Sequence, residues 1–183
     1  MPNWCNNNIT ITGPAHKINK IWAEAIKDDS GLLNAMVPMP TALRETVKGS
    51  GDENQTELHD GYTNWYDWSV ARWSTKWDVS TEGLEYDEAD GVATITGWFD
   101  SAWAPPTQAM ETYGAENPDV SITLDYHEPG MCFVGRMTVE NGEAEDDCID
   151  YADCNSKTVR EMIGADFDDE WAISENMEMW END

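Results

Sequence analysis

Ten tryptophans in a chain of 183 residues constrain its folding more than any other feature, because rings of that size bury large apolar areas and the chain must pack around them. With six tyrosines and three phenylalanines they supply the core that a disordered acidic chain lacks. The length suits one domain with room for an appendage. Against the aromatic content stands the charge: 37 acidic side chains oppose ten basic ones, giving a formal net charge of −27. The Lys and Arg residues are scattered singly, so the clusters that grip nucleic-acid phosphates are missing. An anionic membrane surface would repel the chain for the same reason.

No apolar run approaches the roughly 18–20 residues needed to cross a bilayer. The opening Met1-Pro2-Asn3-Trp4-Cys5-Asn6 lacks the basic-then-apolar pattern of a signal peptide. The expected location is therefore the cytoplasm. Cys5, Cys132, Cys148 and Cys154 include no CxxC and read as reduced thiols there. Cys148 and Cys154 are close enough to bridge in an oxidising compartment.

Periodicity predicts an α+β chain. Residues 6–12 alternate, with Asn7, Ile9 and Ile11 on one face, as a half-buried strand does. Gly13-Pro14 then opens an amphipathic helix carrying Ile18, Ile21, Trp22, Ala25 and Ile26, which Gly31 closes. Leu32–Leu43, with Pro38 and Pro40, is expected to be irregular, and Lys48–Asp60 a solvated loop. The Trp-rich stretch from Asn64 predicts a helix with Tyr66, Val70 and Trp73 on one face, followed by a strand over 77–81. Glu82–Asp90 reads as an acidic turn leading to a strand over 92–100. Pro105-Pro106 starts a short helix with Met110 and Tyr113 inward, and Asn117-Pro118 stops it. Val120, Ile122, Leu124 and Tyr126 mark a strand; Pro129-Gly130 turns it into a last one carrying Phe133, Gly135, Met137 and Val139. An antiparallel sheet with helices on one face accommodates that order.

The chain divides by charge into a domain over residues 1–139 and an acidic tail over 140–183. The tail holds sixteen acids against two bases. Thr158 with Glu161 makes a capping-box signal, and Asp168, Asp169 and Glu170 suit a helix N-terminus. Ile173, Met177 and Trp180 fall on one helical stripe. The tail is thus expected to be helical and packed on or near the domain.

Three blocks carry a family resemblance. They are Pro2-Asn3-Trp4-Cys5-Asn6-Asn7, the run from Trp65-Tyr66-Asp67-Trp68 to Trp73-Ser74-Thr75-Lys76-Trp77-Asp78, and Phe99-Asp100-Ser101-Ala102-Trp103-Ala104-Pro105-Pro106. In this order, over residues 2–139, they resemble the Api-like (YubB-like) family of phage and plasmid proteins. The resemblance implies a ferredoxin-like domain and a viral or mobile-element origin, and leaves the tail outside the family pattern. It implies no mechanism and no iron–sulfur cluster, since a fold does not fix a function.

Candidate chemistry is sparse. His16, His59 and His127 have no second ligand at zinc spacing, and neither tail acid run fits a calcium loop, which needs glycine at its sixth position. No metal and no cofactor is expected. No nucleophile, base and orienting group can be named together, which points away from an enzyme. His127-Glu128 reads as a hairpin cap. The charge is the remaining clue, because at −27 an isolated chain repels itself. The expected function is therefore non-catalytic: binding and inhibiting a host DNA- or RNA-binding defence protein through its basic surface, carboxylates standing in for phosphates in a DNA mimic. The charged face is expected at Glu143, Glu145, Asp146, Asp147, Asp150, Asp153, Asp166, Asp168, Asp169 and Glu170, with Ile173, Met177 and Trp180 as apolar anchors. The alternatives are a small-ligand or nucleotide groove built from Trp65, Trp68, Arg72, Trp73, Lys76 and Trp103, or an accessory viral protein whose acidity serves solubility.

Overall fold

A computed structural model describes residues 3–27, 30–47 and 59–182. The predicted Lys48–Asp60 loop falls outside them up to residue 58. Strand β1 (Trp4–Pro14) leads directly into helix α1 (Ala15–Ala25), as the alternation and Pro14 predict. The predicted irregular connection contains two short helices, α2 (Leu32–Met36) and α3 (Thr41–Arg44). Gly31 opens α2 rather than closing α1. Helix α4 (Trp65–Trp73) is capped by Asn64, whose side chain accepts the Asp67 N–H at 3.0 Å. It buries Trp68 and Trp73, while Val70, expected inward, is exposed.

The predicted strand over 77–81 does not form. Asp78 instead accepts the N–H groups of Leu33 and Asn34 at 2.8 and 3.1 Å and so caps α2, and the Leu32 N–H bonds the Val79 carbonyl. That stretch is committed to the helix. The strand lies further on: β2 (Leu84–Ala89) occupies the predicted acidic turn and pairs with β3 (Val92–Ala102). Helix α5 (Thr107–Glu116), β4 (Ser121–Glu128) and β5 (Phe133–Glu140) follow prediction. β6 (Glu143–Asp150) was expected to be tail, yet it pairs with β5 along its whole length. Helices α6 (Val159–Ile163), α7 (Ala165–Trp171) and α8 (Ile173–Glu181) complete the described chain.

The six strands form one antiparallel sheet in the order β2-β3-β1-β4-β5-β6. The first four strands with α1 and α5 make the βαββαβ ferredoxin-like unit, and β5 and β6 extend it as a meander. The main core fills one face: Ile9, Ile11, Ile95, Ile122 and Leu124 of the sheet meet Ile18, Ile21, Met110 and Tyr113 of the helices. Helix α5 approaches so closely that a Cβ on Gly114 would lie 2.2 Å from Val139 Cγ1. The C-terminal helices dock on the opposite face at one end, where Val134 and Tyr151 pack with Val159, Ile163 and Ile173 in a second core.

The rest of that second face is open and mostly polar, with Trp98 and Val92 of β3 exposed on it. One cross-strand row runs over all six strands as Glu85, Thr96, Thr10, Thr123, Thr138 and Glu145. Threonines occupy its middle and a carboxylate ends it at each sheet edge.

Candidate functional site

Pairing in the sheet decides where the acids of β6 go, because residues opposite one another share a face. Glu145 lies opposite Thr138 and Asp147 opposite Arg136, so Glu143, Glu145 and Asp147 project from the open polar face. Asp146 and Asp150 project from the other, and Asp146 accepts the Tyr126 hydroxyl at 2.7 Å. Burial, and then this acceptor, push the Tyr126 hydroxyl above its usual range. Asp153 is exposed in the turn beyond β6.

Helix α7 adds to the open side. Arg136 bonds Asp125 through Nε at 2.5 Å and Nη2 at 2.8 Å, and its guanidinium lies 5.6 Å from the Phe167 ring of α7. The pairing with Asp125 holds the guanidinium above its ordinary range, and Glu170 and Asp166 add to the same field. Glu170 also accepts the side-chain amide of Asn8. Asp169 is exposed but pairs with Arg160 at 2.5 Å. One acid expected on this face is not there. Asp168 is 3% exposed and turns inward, accepting the Ser174 N–H and hydroxyl, each at 2.7 Å, and Arg160 Nη1 at 2.7 Å. It ties α7 to α8.

The predicted apolar stripe divides in the same way. Ile173 is 2% exposed in the second core, Met177 packs against that core, and Trp180 is 78% exposed. Ile173 is therefore no surface anchor, because α8 docks through it.

The tryptophan groove also divides. Trp68 and Trp73 meet edge to face in the main core, so Trp68 lines no opening. An edge of Trp73 and the half-buried Trp65 do border a shallow recess of about 280 Å³ with Arg44, Lys76, Trp77 and Asp78. The Lys76 ammonium sits 4.2 Å from the Trp77 ring centre, 5.3 Å from that of Trp103 and 5.9 Å from that of Tyr66. Arg72 stacks on Tyr62 at 5.8 Å. Both cations are thus engaged by rings of this chain.

A cavity that sequence reasoning missed opens where β4 ends beneath α8. It holds about 550 Å³ and is bordered by His127, Cys132, Tyr151, Trp171, Met177 and Trp180, among others. His127 Nε2 lies 2.7 Å from the Tyr151 hydroxyl, and the two rings stack at 6.0 Å. Burial lowers the His127 pKa to about 4, so the ring is neutral at pH 7. Glu128 points to the other face of β4 and accepts the Gly130 and Met131 N–H groups, which makes it the cap of the hairpin. Of the predicted His127-Glu128 cap, Glu128 alone serves the hairpin, while His127 faces the other side of the sheet. The cavity was invisible in sequence because its walls come from six separate segments: β1, β4, the β4–β5 turn, the turn after β6, the end of α7, and α8.

Comparison with known proteins agrees with this fold. Residues 72–173 match the family described as the ferredoxin-like domain in Api92-like protein. The match crosses residue 139 and takes in β6, α6 and α7, so the family pattern extends into the tail that the sequence resemblance left outside. A crystal structure of the protein api92 from Yersinia pseudotuberculosis aligns with a TM-score of 0.50 at 10% identity, over 80% of this chain and 98% of that one. At that identity the likeness concerns the fold alone. No curated protein matches the chain. With more than half its length matched, and the βαββαβ sheet in place, the chain belongs to the family of Api92-like proteins that carry this ferredoxin-like domain.

Proposed function

We propose that the protein is a non-catalytic phage or mobile-element protein whose β6 and α7 acids engage the basic surface of a host nucleic-acid-handling defence protein. The observation that supports this reading is the outward row Glu143, Glu145 and Asp147, flanked on the same side by Asp166 and Glu170. Alternate residues of a strand repeat every ~6.7 Å. Counting both faces, β6 carries five acids along about 26 Å of strand. That is one charge per roughly 5 Å, against one per ~3.4 Å for a single strand of duplex DNA. Three of the five stand at alternate positions on one face, about 6.7 Å apart, and offer a basic groove a partial copy of a phosphate backbone at about twice its spacing.

The test is capture from host lysate by the full chain and by a Glu143→Gln, Glu145→Gln, Asp147→Asn variant. The native chain is expected to retain a DNA-binding protein at low salt and release it at about 0.5 M, where the screening length falls to a few ångström. Duplex DNA should displace the same protein, and the variant should not retain it. A partner held equally by the variant, or indifferent to duplex DNA, sinks the reading.

One observation favours a second reading. The opposite sheet edge is acidic too, with Glu85, Asp87 and Glu88 on β2. Charge on both edges blocks edge-to-edge pairing between copies. On this reading neutralising either edge raises self-association in sedimentation, whereas mimicry makes partner loss specific to β6.

A further inference from the structure

Trp4, Trp77 and Trp98 stand apart from the tryptophans of the core, because all three are exposed. Strands β1 and β3 pair with Trp4 opposite Ala102, Asn6 opposite Asp100 and Asn8 opposite Trp98, so Trp4, Asp100 and Trp98 share the open face. Trp77, in the segment after α4, meets Trp4 with ring centres 6.1 Å apart and planes tilted by 36°. The Trp98 N–H bonds the Gly83 carbonyl at 3.0 Å, and a Cβ on Gly83 would lie 2.9 Å from Cε2 of the Trp98 ring. Gly97, at φ 137°, permits the same close approach, since a Cβ there would lie 2.1 Å from the Gly83 oxygen. Two glycines thus place a ring that is 61% exposed.

The three rings border a recess of about 380 Å³, within the range of roughly 300–1,000 Å³ that small-molecule sites occupy. Asp78, Glu82 and Asp100 border it as well, and among the described residues no Lys or Arg does. The recess beside α4 differs: it shares Trp77 and Asp78 but contains Arg44 and Lys76. Aromatic rings attract cations, and the carboxylates and a net charge of −27 add to that attraction. The chain shows the same preference within itself, where the Lys76 ammonium packs against Trp77, Trp103 and Tyr66. The acceptors narrow the kind of cation. Asp78 already accepts the N–H groups of Leu33, Asn34 and Val79, and Asp100 accepts the Asn6 side-chain amide at 2.7 Å. Walls with more ring surface than free acceptors suit a cation that donates no hydrogen bonds, whereas a primary ammonium or a guanidinium would shed water without replacing it.

We propose that the recess among Trp4, Trp77 and Trp98 binds a quaternary ammonium group, held by cation–π attraction to the rings and by the charges of Asp100 and Glu82. The site lies apart from the β6 acids and is independent of their role. It discriminates by charge at equal shape, because an uncharged alkyl group of the same size loses the ring attraction.

Side-chain indole proton–nitrogen correlation spectra of the full chain, at constant ionic strength, test the assignment, with the Trp98 signal identified by its loss in Trp98→Phe. Four probes separate the chemistries: choline; neohexanol, its isostere with carbon in place of the charged nitrogen; methylguanidinium; and trimethyl-lysine. Choline is expected to move the Trp98 signal saturably, with neohexanol about tenfold weaker, the scale of a cation–π contribution, and methylguanidinium weaker than choline. Trimethyl-lysine presents the same group from a protein side chain; the tighter binder of the two names the source, and either supports the site. Trp98→Ala should weaken choline binding about tenfold, read on the Trp4 signal, while the remaining indole signals stay in place, which separates a lost ring from lost folding. Asp100→Asn should weaken choline and leave neohexanol unchanged. The Glu143→Gln, Glu145→Gln, Asp147→Asn variant should bind choline as the native chain does, and weaker binding by it would reduce the effect to diffuse attraction and overturn the site. The assignment is also overturned by an unmoved Trp98 signal, by neohexanol binding as tightly as choline, by methylguanidinium binding best, or by choline affinity unchanged in Trp98→Ala.

Discussion

Cys5 and Cys148 are chemically the same side chain in opposite surroundings. Cys5 is fully buried, and burial, with the nearby Glu128 charge adding to it, pushes its pKa up to about 12. Cys148 is exposed on β6. Iodoacetamide at pH 8 should therefore modify Cys148 within minutes and leave Cys5 untouched until the chain is unfolded, as peptide mass mapping would report. Rapid native labelling of Cys5 would contradict its burial. His127 gives a second test. Its folded pKa, about 4, lies below the ordinary imidazole value, so the unfolded chain binds the proton more readily between pH 6.5 and 4. The stability that neutral His127 contributes is fully present above about pH 6.5 and is lost as pH falls toward 4. Denaturant unfolding of native protein and His127→Gln, compared across that window, should show their stability gap narrow by up to about 3 kcal/mol. Carboxylate titration is common to both proteins and cancels in the difference. A gap constant with pH would mean that His127 is not buried neutral.

At the scale of elements, the two strands missed from sequence are the two edge strands, for one physical reason. β2 and β6 each have one side open to water, so their composition obeys solvent as much as the core, and acids hide the alternation that marks a buried strand. Local signals were nevertheless present. Asp90-Gly91 and Asn141-Gly142 are the dipeptides of tight hairpins, and both residues of each pair have positive φ (52° and 80°; 54° and 84°). Central strands, by contrast, were legible throughout, because Ile9 and Ile11, or Ile122 and Leu124, have the core on one side whatever the charge elsewhere. Sites were less legible than elements. Asp168 is one of a run of acids, and since both it and Asp169 pair with Arg160, only its burial and its bonds from Ser174 distinguish it. Asp168→Ala should cost about 1–3 kcal/mol and speed amide exchange in α8, while Asp169→Ala should leave both nearly unchanged. Gly114→Ala should cost a similar ~1–3 kcal/mol, because a methyl there must displace Val139, and chemical denaturation would measure it. If the variant is as stable as the native protein, α5 does not sit against β5 as described.

Over the whole molecule, repulsion outweighs pairing. Ion pairs of Lys and Arg among the described residues are few: Lys17–Asp119, Lys27–Glu24, Arg136–Asp125, and Arg160 with Asp168 and Asp169. Against a net charge of −27 they leave a long-range field that salt screens more than it weakens the local pairs. Thermal unfolding should therefore move to higher temperature between about 0.01 and 0.5 M sodium chloride, as the screening length falls from ~30 Å to a few ångström. A falling Tm would mean that the pairs dominate.

The strand order also has a consequence for the chain as it is made. Of the six strands of the sheet β1 leaves the ribosome first, and it lies between β3 and β4, so neither of its neighbours yet exists when it emerges. It waits, with Ile9 and Ile11 uncovered, until residues 92–102 and then 121–127 arrive. β6 comes last of the strands and closes the open side of β5. A chain stalled between the two would present Val134 without its second-core partners and a bare β5 edge, which is what a chaperone binds or another stalled chain joins.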